Sequence, residues 1–93
     1  MTKQQLIDTI AQSENISKQV AKTIIEAVFD SIVEALAAGD KVELRGFGSF
    51  RAKWRDGRRA RNPKTGALVD VPPKRHPVFK AGKELREMVN EKI

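Results

Sequence analysis

Cysteine and tyrosine are absent from the 93-residue sequence, which contains one histidine and one tryptophan. Without thiols there is neither a disulfide framework nor a thiolate nucleophile. A lone histidine lacks the partners that a metal site or a catalytic dyad built on it requires. We therefore predict a protein that is not an enzyme, with no catalytic residues, no metal ion, no cofactor and no small-molecule substrate.

Long apolar runs are also missing, since no segment approaches the roughly 20 residues required to span a bilayer. The hydrophobic share of 40% and the charged share of 32% are typical of a globular domain. The length suits one hydrophobic core. We predict a single domain, residues 1–93, without a membrane partner.

Positive charge is concentrated in one third of the chain. The formal net charge is +6, yet residues 45–75 contain ten Lys or Arg and only two acids, a net charge of +8. The rest of the chain carries −2. Such asymmetry indicates a polyanionic partner, with nucleic acid as the first candidate and an anionic membrane surface as the second.

Two helices are predicted in the N-terminal part of the chain. Thr2 and Gln5 have the spacing of a capping box, which begins a first helix at about residues 3–14. Ser17 is a candidate N-cap for a second helix of about 20 residues, which Gly39 ends. Together they predict a helical hairpin over about residues 3–38.

The second helix is apolar over an arc of about 220°, whereas burial of one face requires a stripe of only about 100°. The arc is formed by Val20, Ala21, Ile24, Ile25, Val28, Phe29, Ile32, Val33 and Leu36. A second apolar sector indicates a second protein surface, and we interpret it as a dimer interface. The alternative is a helix that the chain's own sheet buries on both sides.

Beyond Gly39 the hydrophobic period changes from helical to alternating. Residues 42–45 and 50–55 therefore predict strands. In the second strand one face is wholly cationic, since it carries Arg51, Lys53 and Arg55. Three phenylalanines are interpreted as core residues rather than as platforms for stacking bases: Phe47, Phe50 and Phe79.

Residues 55–75, which we call the arm, predict a two-stranded ribbon that projects into solvent. They contain little large apolar surface, and their prolines disfavour a place inside a sheet. Two strands of about eight residues would reach about 25 Å, at about 3.3 Å per residue. Residues 62–66 would form the tip. The sheet and the arm cover about residues 40–79, and apolar spacing predicts a final helix at about residues 83–91.

The tip of the arm has the features of a wedge. Pro63 is rigid and apolar and has no N–H to satisfy, so from the minor groove it could part stacked base pairs and kink DNA. Arg61 and Asn62 could lie in that groove, while the arginines of the arm pair with phosphates. The alternative is that these are ordinary turn residues and a solvated basic surface.

Three motifs, GFGSF at 46–50, RNPKTG at 61–66 and FKAGKEL at 79–85, occur in a distinctive order and spacing. With them the chain resembles the bacterial HU and integration host factor family of nucleoid-associated, DNA-bending proteins over essentially its whole length. The resemblance implies an α+β fold, an intertwined dimer with an α-helical body, a small antiparallel sheet and a protruding two-stranded β-arm. It also implies double-stranded DNA as the partner and a cytoplasmic location in the bacterial nucleoid.

The resemblance also implies roles for individual residues. Pro63 would be the intercalating residue, with Arg61 and Asn62 beside it in the minor groove. Phosphate contacts on the body flanks would fall near chain turns and helix starts, where free N–H groups favour anions. The full set of residues expected to bind DNA is Lys3, Arg45, Ser49, Lys53, Arg55, Arg58, Arg59, Arg61, Asn62, Pro63, Lys64, Lys74, Arg75, Lys80 and Lys83.

Two segments indicate different subtypes within the family. ELRGFGSF at 43–50 resembles the beta subunit of integration host factor, in which an arginine at the place of Arg45 helps to read sequence. PPKRHPVFKAGKELRE at 72–87 resembles HU, and Ala60 stands where the family often has glycine. We expect a homodimer, with a heterodimer of paralogous subunits as the alternative. HU-like binding of low specificity and site-preferring binding both stay open.

Two functions of other classes are also compatible with the basic arm. One is an RNA-binding or ribosome-associated module, because a basic ribbon can follow an A-form helix. The other is an adaptor whose arm docks on an acidic protein or membrane surface, although the arm carries little apolar surface to anchor in lipid.

Overall fold

Three helices and five strands make up residues 1–91, the part of the chain that the computed structural model describes. Their bounds in chain order are α1 Lys3–Ser13, α2 Lys18–Ala37, β1 Val42–Leu44, β2 Gly48–Arg55, β3 Arg58–Arg61, β4 Leu68–Val71, β5 Lys74–Ala81 and α3 Lys83–Glu91. The chain divides after Glu34 into two units. No helix among the described residues is long and apolar enough to cross a membrane.

Side-chain caps begin both helices of the first unit. Thr2 Oγ1 accepts a hydrogen bond from the Gln5 N–H at 3.1 Å, and Gln5 Oε1 accepts one from the Thr2 N–H at 2.8 Å. This is the capping box that the sequence predicts. Ser17 Oγ accepts from the Val20 N–H at 3.1 Å at the start of α2. Each cap satisfies N–H groups that a helix leaves without an internal partner.

The buried core of the first unit is small. Its members, each at most 7% exposed, are Ile7 and Ala11 of α1 and Ala21 and Ile25 of α2. Two of these residues are alanines, which bury little surface each. Most of the apolar arc of α2 therefore takes no part in this core.

The remaining apolar face of α2 is open to solvent in the single chain. Val20, Ile24, Val28, Phe29 and Val33 are between 45% and 62% exposed. A helix buried on both sides would show none of this exposure, so that alternative is wrong for these residues. The sequence predicts that the apolar arc of α2 is wider than one buried face, and the structure agrees, because the single chain leaves part of this arc exposed.

The second unit contains a three-stranded antiparallel sheet with the strand order β1-β2-β5. The register places Phe50 opposite Phe79 and Lys53 opposite His76. The aromatic face is not a core in the single chain, since Phe47 and Phe79 are 47% and 43% exposed. For these two residues the predicted core position is wrong within one chain, because no layer of the same unit covers them. The rings nevertheless cluster, with centroids 5.5 Å apart between Phe47 and Phe79 and 4.8 Å apart between Phe50 and Phe79.

Gly48 permits the close approach of β2 and β5. A Cβ atom at this position would lie 2.5 Å from the carbonyl oxygen of Lys80 and 2.5 Å from the ring of Phe79. Only a residue without a side chain fits there. Gly48, the second glycine of the GFGSF motif, thereby allows the register of β2 and β5, and this register determines which side chains share a face.

The arm folds as predicted into a ribbon, but its own strands are shorter than expected. Strands β3 and β4 pair as a separate two-stranded sheet of four residues each, from Arg58 opposite Val71 to Arg61 opposite Leu68. The predicted length of about eight residues is wrong for these strands. Pairing stops where Asp56-Gly57 faces Pro72-Pro73, because proline has no N–H to donate to the ladder. The eight-residue strands are instead β2 and β5.

Candidate nucleic-acid interface

One face of the β2–β5 pair is cationic over its full length. Side chains directly opposite each other in an antiparallel pair project from the same face, and that face recurs at every second residue. The register opposes Arg55 to Lys74, Lys53 to His76 and Ser49 to Lys80. Arg51 falls on this face as well, opposite Val78. We call this set of residues the cationic face.

Within residues 1–91, ion pairs do not neutralise the lysines and arginines of the cationic face. Among the described residues, none of the ion pairs involves Arg51, Lys53, Arg55, Lys74 or Lys80. The surroundings on this face also affect its histidine. Partial burial of its ring, followed by the positive charges of Arg55 and Lys74, lowers the pKa of His76. A surface of this kind attracts polyanions.

A cleft of about 500 Å³ lies where the cationic face meets the start of α3. It brings together four residues that are distant in sequence but were all expected to bind DNA: Arg45, Ser49, Lys80 and Lys83. Arg86 also lines the cleft and was missed from the sequence. It lies three residues beyond Lys83, on the same side of α3, which is the signal that could have identified it.

The arginines of the arm differ in the contacts that their side chains make. Arg59 Nε contacts Asp70 Oδ1 at 3.1 Å across the β3–β4 pair. Arg61 Nη1 donates to the carbonyl oxygen of Gly66 at 2.9 Å and so braces the tip. Arg58 lies opposite the apolar Val71. All three arginines are exposed, so each can still reach a ligand in solvent.

The tip of the arm is closed by its own hydrogen bonds. The Asn62 carbonyl accepts from the Gly66 N–H at 2.7 Å, and the Asn62 N–H donates to the Ala67 carbonyl at 2.7 Å. Asn62 Oδ1 accepts from the Lys64 N–H at 2.8 Å. Gly66 has a φ of +70°, which favours glycine. The turn therefore presents an exposed Pro63 on a loop that needs no outside partner to hold its shape.

Similarity to known proteins extends over almost the whole chain. A family model described as Bacterial DNA-binding protein matches residues 1–90. The DNA-binding protein HU of Geobacillus stearothermophilus is 46% identical over 89 residues, which cover 96% of this chain and 99% of that protein. The chain belongs to the bacterial DNA-binding protein family.

Other proteins of this family agree in sequence and in structure. DNA-binding protein HU-1 of Halalkalibacterium halodurans is 44% identical over 90 residues, covering 97% of this chain and all of that protein. An Anabaena HU–DNA cocrystal structure matches with a TM-score of 0.87 and 43% identity, covering 96% of this chain and 97% of that one. HU from Thermotoga maritima matches with a TM-score of 0.67 and 34% identity, covering 96% and 98%. The family and the α+β fold indicated by the sequence motifs are thus confirmed.

Within this family framework, the residues expected to bind DNA fall into three groups in the second unit. The cationic face holds Lys53, Arg55 and Lys74, together with Arg51 and His76, which the expected set lacked. The cleft holds Arg45, Ser49, Lys80 and Lys83. The arm holds Arg58, Arg59, Arg61, Asn62, Pro63 and Lys64. Lys3 belongs to the first unit, where its Nζ is 4.0 Å from Glu26 Oε2.

Arg75 is not on the cationic face, although it is expected to bind DNA. The register places it opposite Trp54, on the other face of the sheet. Its Nη1 donates to the Leu36 carbonyl at 3.3 Å and its Nη2 to the Ala37 carbonyl at 3.1 Å. These carbonyls lie at the end of α2, and that of Leu36 also accepts from the Gly39 N–H at 3.1 Å. A cation there also interacts favourably with the helix dipole. The geometry therefore assigns Arg75 a capping role.

We predict that Arg75→Ala lowers the free energy of unfolding by about 1 kcal/mol, because the carbonyls of Leu36 and Ala37 lose the hydrogen bonds that the guanidinium donates. Urea unfolding followed by circular dichroism at one fixed protein concentration measures this change. Lys74→Ala is the control, since its side chain lies on the cationic face and should affect stability little. A variant of Arg75 with unchanged stability but strongly weakened DNA binding would contradict the capping role.

Proposed function

We propose that this chain is a non-enzymatic architectural protein that binds double-stranded DNA and bends it. One observation carries the proposal: a cationic face on β2 and β5, without ion pairs in the described part of the chain, leads into an arm whose tip displays an exposed proline. The Anabaena HU structure, determined with DNA, supports DNA as the ligand. Such a protein would reside in the bacterial nucleoid.

The cationic face and the cleft would supply most of the affinity. Lysine and arginine side chains that neutralise phosphates release condensed counterions, so binding weakens steeply as salt is added. The exposed position of these side chains suits contacts with a ligand that lies across the sheet. Phosphate contacts carry no sequence information of their own. We therefore expect low specificity, apart from what the arm and DNA deformability add.

The arm would supply the bend. Lying in the minor groove, it would place Pro63 at a base step, where an apolar ring can partly unstack the bases. Unstacking costs a few kcal/mol per step, which the longer contact with bent DNA offsets. The internal hydrogen bonds of residues 62–66 support this role, because a wedge must keep its shape against the stacked bases. Arg61 beside it would point its remaining donors at base edges or sugars.

Two copies of the chain would form the working unit. The apolar face of α2 and, in the second unit, the rings of Phe47 and Phe79 are exposed in the single chain, and exposed apolar patches of this kind mark protein interfaces. Pairing with a second copy would bury them and present two arms to one duplex. A homodimer needs no further component, while a paralogous partner with the same face would serve equally.

Alanine at Arg58, Arg59 and Arg61 should flatten the slope of log affinity against log salt by about 0.9 for each phosphate that the protein no longer neutralises. Fluorescence anisotropy with a labelled duplex at several salt concentrations gives the slope. The matched control replaces Lys18, Lys22 and Lys41, which pair with acids outside the arm. Equal slopes in both triple variants would remove the arm from the interface. Preference for duplex RNA over duplex DNA of the same sequence would overturn the proposed function.

Pro63→Ala should keep most of the salt-dependent affinity but reduce the bend, because alanine lacks the rigid ring that separates the bases. Energy transfer between dyes at the two ends of a short duplex measures the bend angle. Pro72→Ala, which changes a proline outside the tip, should leave the angle as it is. An unchanged angle in the Pro63 variant would exclude the wedge.

Val28→Glu should prevent dimerisation, since it places a charge in the middle of the exposed apolar face of α2. Analytical ultracentrifugation should give twice the chain mass of 10.4 kDa for the unchanged protein and a lower mass for the variant. Thr23→Glu adds the same charge on the polar side of α2 and should leave the dimer intact. A monomeric mass for the unchanged protein would refute the dimer, whatever the folding of the variant.

A further inference from the structure

The only histidine of the chain lies at the base of the arm, on the cationic face. His76 is opposite Lys53, and the next pair on the same face is Arg55 with Lys74. We propose that His76, Arg55 and Lys74 form a proton-linked phosphate site: the imidazole takes up a proton when a DNA phosphate binds, so affinity rises as the pH falls. The inference rests on the proposed function and adds a titrating contact to it.

The geometry provides a place for the phosphate. A cleft of about 150 Å³ at the base of the arm is lined by His76, Arg55, Arg58 and Lys74. These four residues come from β2, β3 and β5, and Val71 of β4 also lines the cleft. The site therefore lies where the sheet leads into the arm. Three permanent cations around one imidazole attract the negative charge of a phosphodiester, and arginine offers it paired N–H donors.

The charged groups near the His76 imidazole come from three strands. Strand β2 contributes Lys53 and Arg55, β3 contributes Arg58, and β5 contributes Lys74. Among the described residues, the acid that lines the cleft is Asp56. Its Oδ1 accepts a hydrogen bond from Trp54 Nε1 at 2.9 Å. Cations outnumber the acid, so the surroundings favour a neutral imidazole until an anion arrives.

The sign of the linkage follows from this environment. Partial burial and the charges of Arg55 and Lys74 lower the pKa of His76 in the DNA-free protein, so the ring is neutral at pH 7. A bound phosphate adds a negative charge and pairs with the competing cations, and both effects raise the pKa. Binding therefore takes up protons between the lowered pKa of the DNA-free protein and the raised pKa of the complex. Within that window affinity increases as the pH falls, and outside it this contribution is constant.

A neutral ring also explains why histidine is tolerated among like charges. A further permanent cation at this position would add repulsion to surroundings that already hold Lys53, Arg55, Arg58 and Lys74. Histidine avoids that repulsion in the DNA-free protein and supplies a charge only when the phosphate compensates it. The site thus gains electrostatic attraction in the DNA complex, while the DNA-free protein avoids most of the repulsion between His76 and the neighbouring cations.

Nuclear magnetic resonance of the imidazole ring tests the proposal directly. Because His76 is the sole histidine, one ring signal reports one pKa. The full-length protein is titrated from about pH 5.5 to about pH 8 at constant ionic strength, alone and saturated with a short duplex. We expect a higher pKa in the complex. A pKa that the duplex leaves unchanged or lowers would overturn the inference.

Binding measurements over the same pH range provide the second test. Affinity of the unchanged protein should rise toward low pH by up to about tenfold per pH unit for each proton taken up. His76→Gln should lose this dependence, while His76→Lys should lose it and bind more tightly than the unchanged protein at the alkaline end. Lys41→Gln removes a charge away from the site and should keep the dependence. The same dependence in the Gln variant would also overturn the inference.

The two proposals fail in different ways. No binding of any duplex at low salt would refute the proposed function itself. Duplex binding with a normal salt slope, but without a change in the His76 pKa, would refute only the proton-linked site.

Discussion

The alternation of side chains along β2 and β5 is the constraint on which the interface depends. Because the side-chain period of a strand is two residues, every cation at an odd position of β2 projects from the face opposite to Phe50 and Trp54. Gly48 fixes the register by letting β5 approach. A slip of one residue would turn Lys74 and His76 toward the aromatic face and Arg75 toward the cations. Charge segregation thus follows from pairing geometry as much as from composition.

The two faces of the sheet make opposite demands on their surroundings. The cationic face gains from an anionic ligand because its lysines and arginines form no ion pairs among the described residues, whereas the aromatic face gains from removal of Phe47 and Phe79 from water. A ligand on one face and a protein copy on the other would satisfy both. Within the described residues, the arm satisfies its own hydrogen bonds at the tip while leaving Pro63 exposed. The second unit therefore has separate surfaces that would bind an anionic ligand, present the proline at the tip and contact a second copy of the chain.

Several features of this structure were predictable because their causes are local. The capping box at Thr2, the N-cap at Ser17 and the tip at residues 62–66 depend on neighbours within about four residues. The cationic side of β2 follows from alternation alone. Arg86 was missed as a contact because its relevance depends on Lys83, which lies on the same face of α3 and lines the same cleft. The sequence analysis predicted longer strands for the arm. Pairing stops where Pro72-Pro73 lies opposite Asp56-Gly57, and only the strand register shows this position.

By itself, the sequence determined where the positive charge lies, which helix has more apolar surface than one face can bury, and which residues turn the chain. These properties depend on residue type and short-range spacing. Only the tertiary structure decided that Arg75 caps α2 while Lys74 joins the cationic face, that Arg59 pairs with Asp70, and that Arg45 shares a cleft with Lys83. Each of these contacts joins residues far apart in the chain. The strand register decides them, and a register is a property of two segments together.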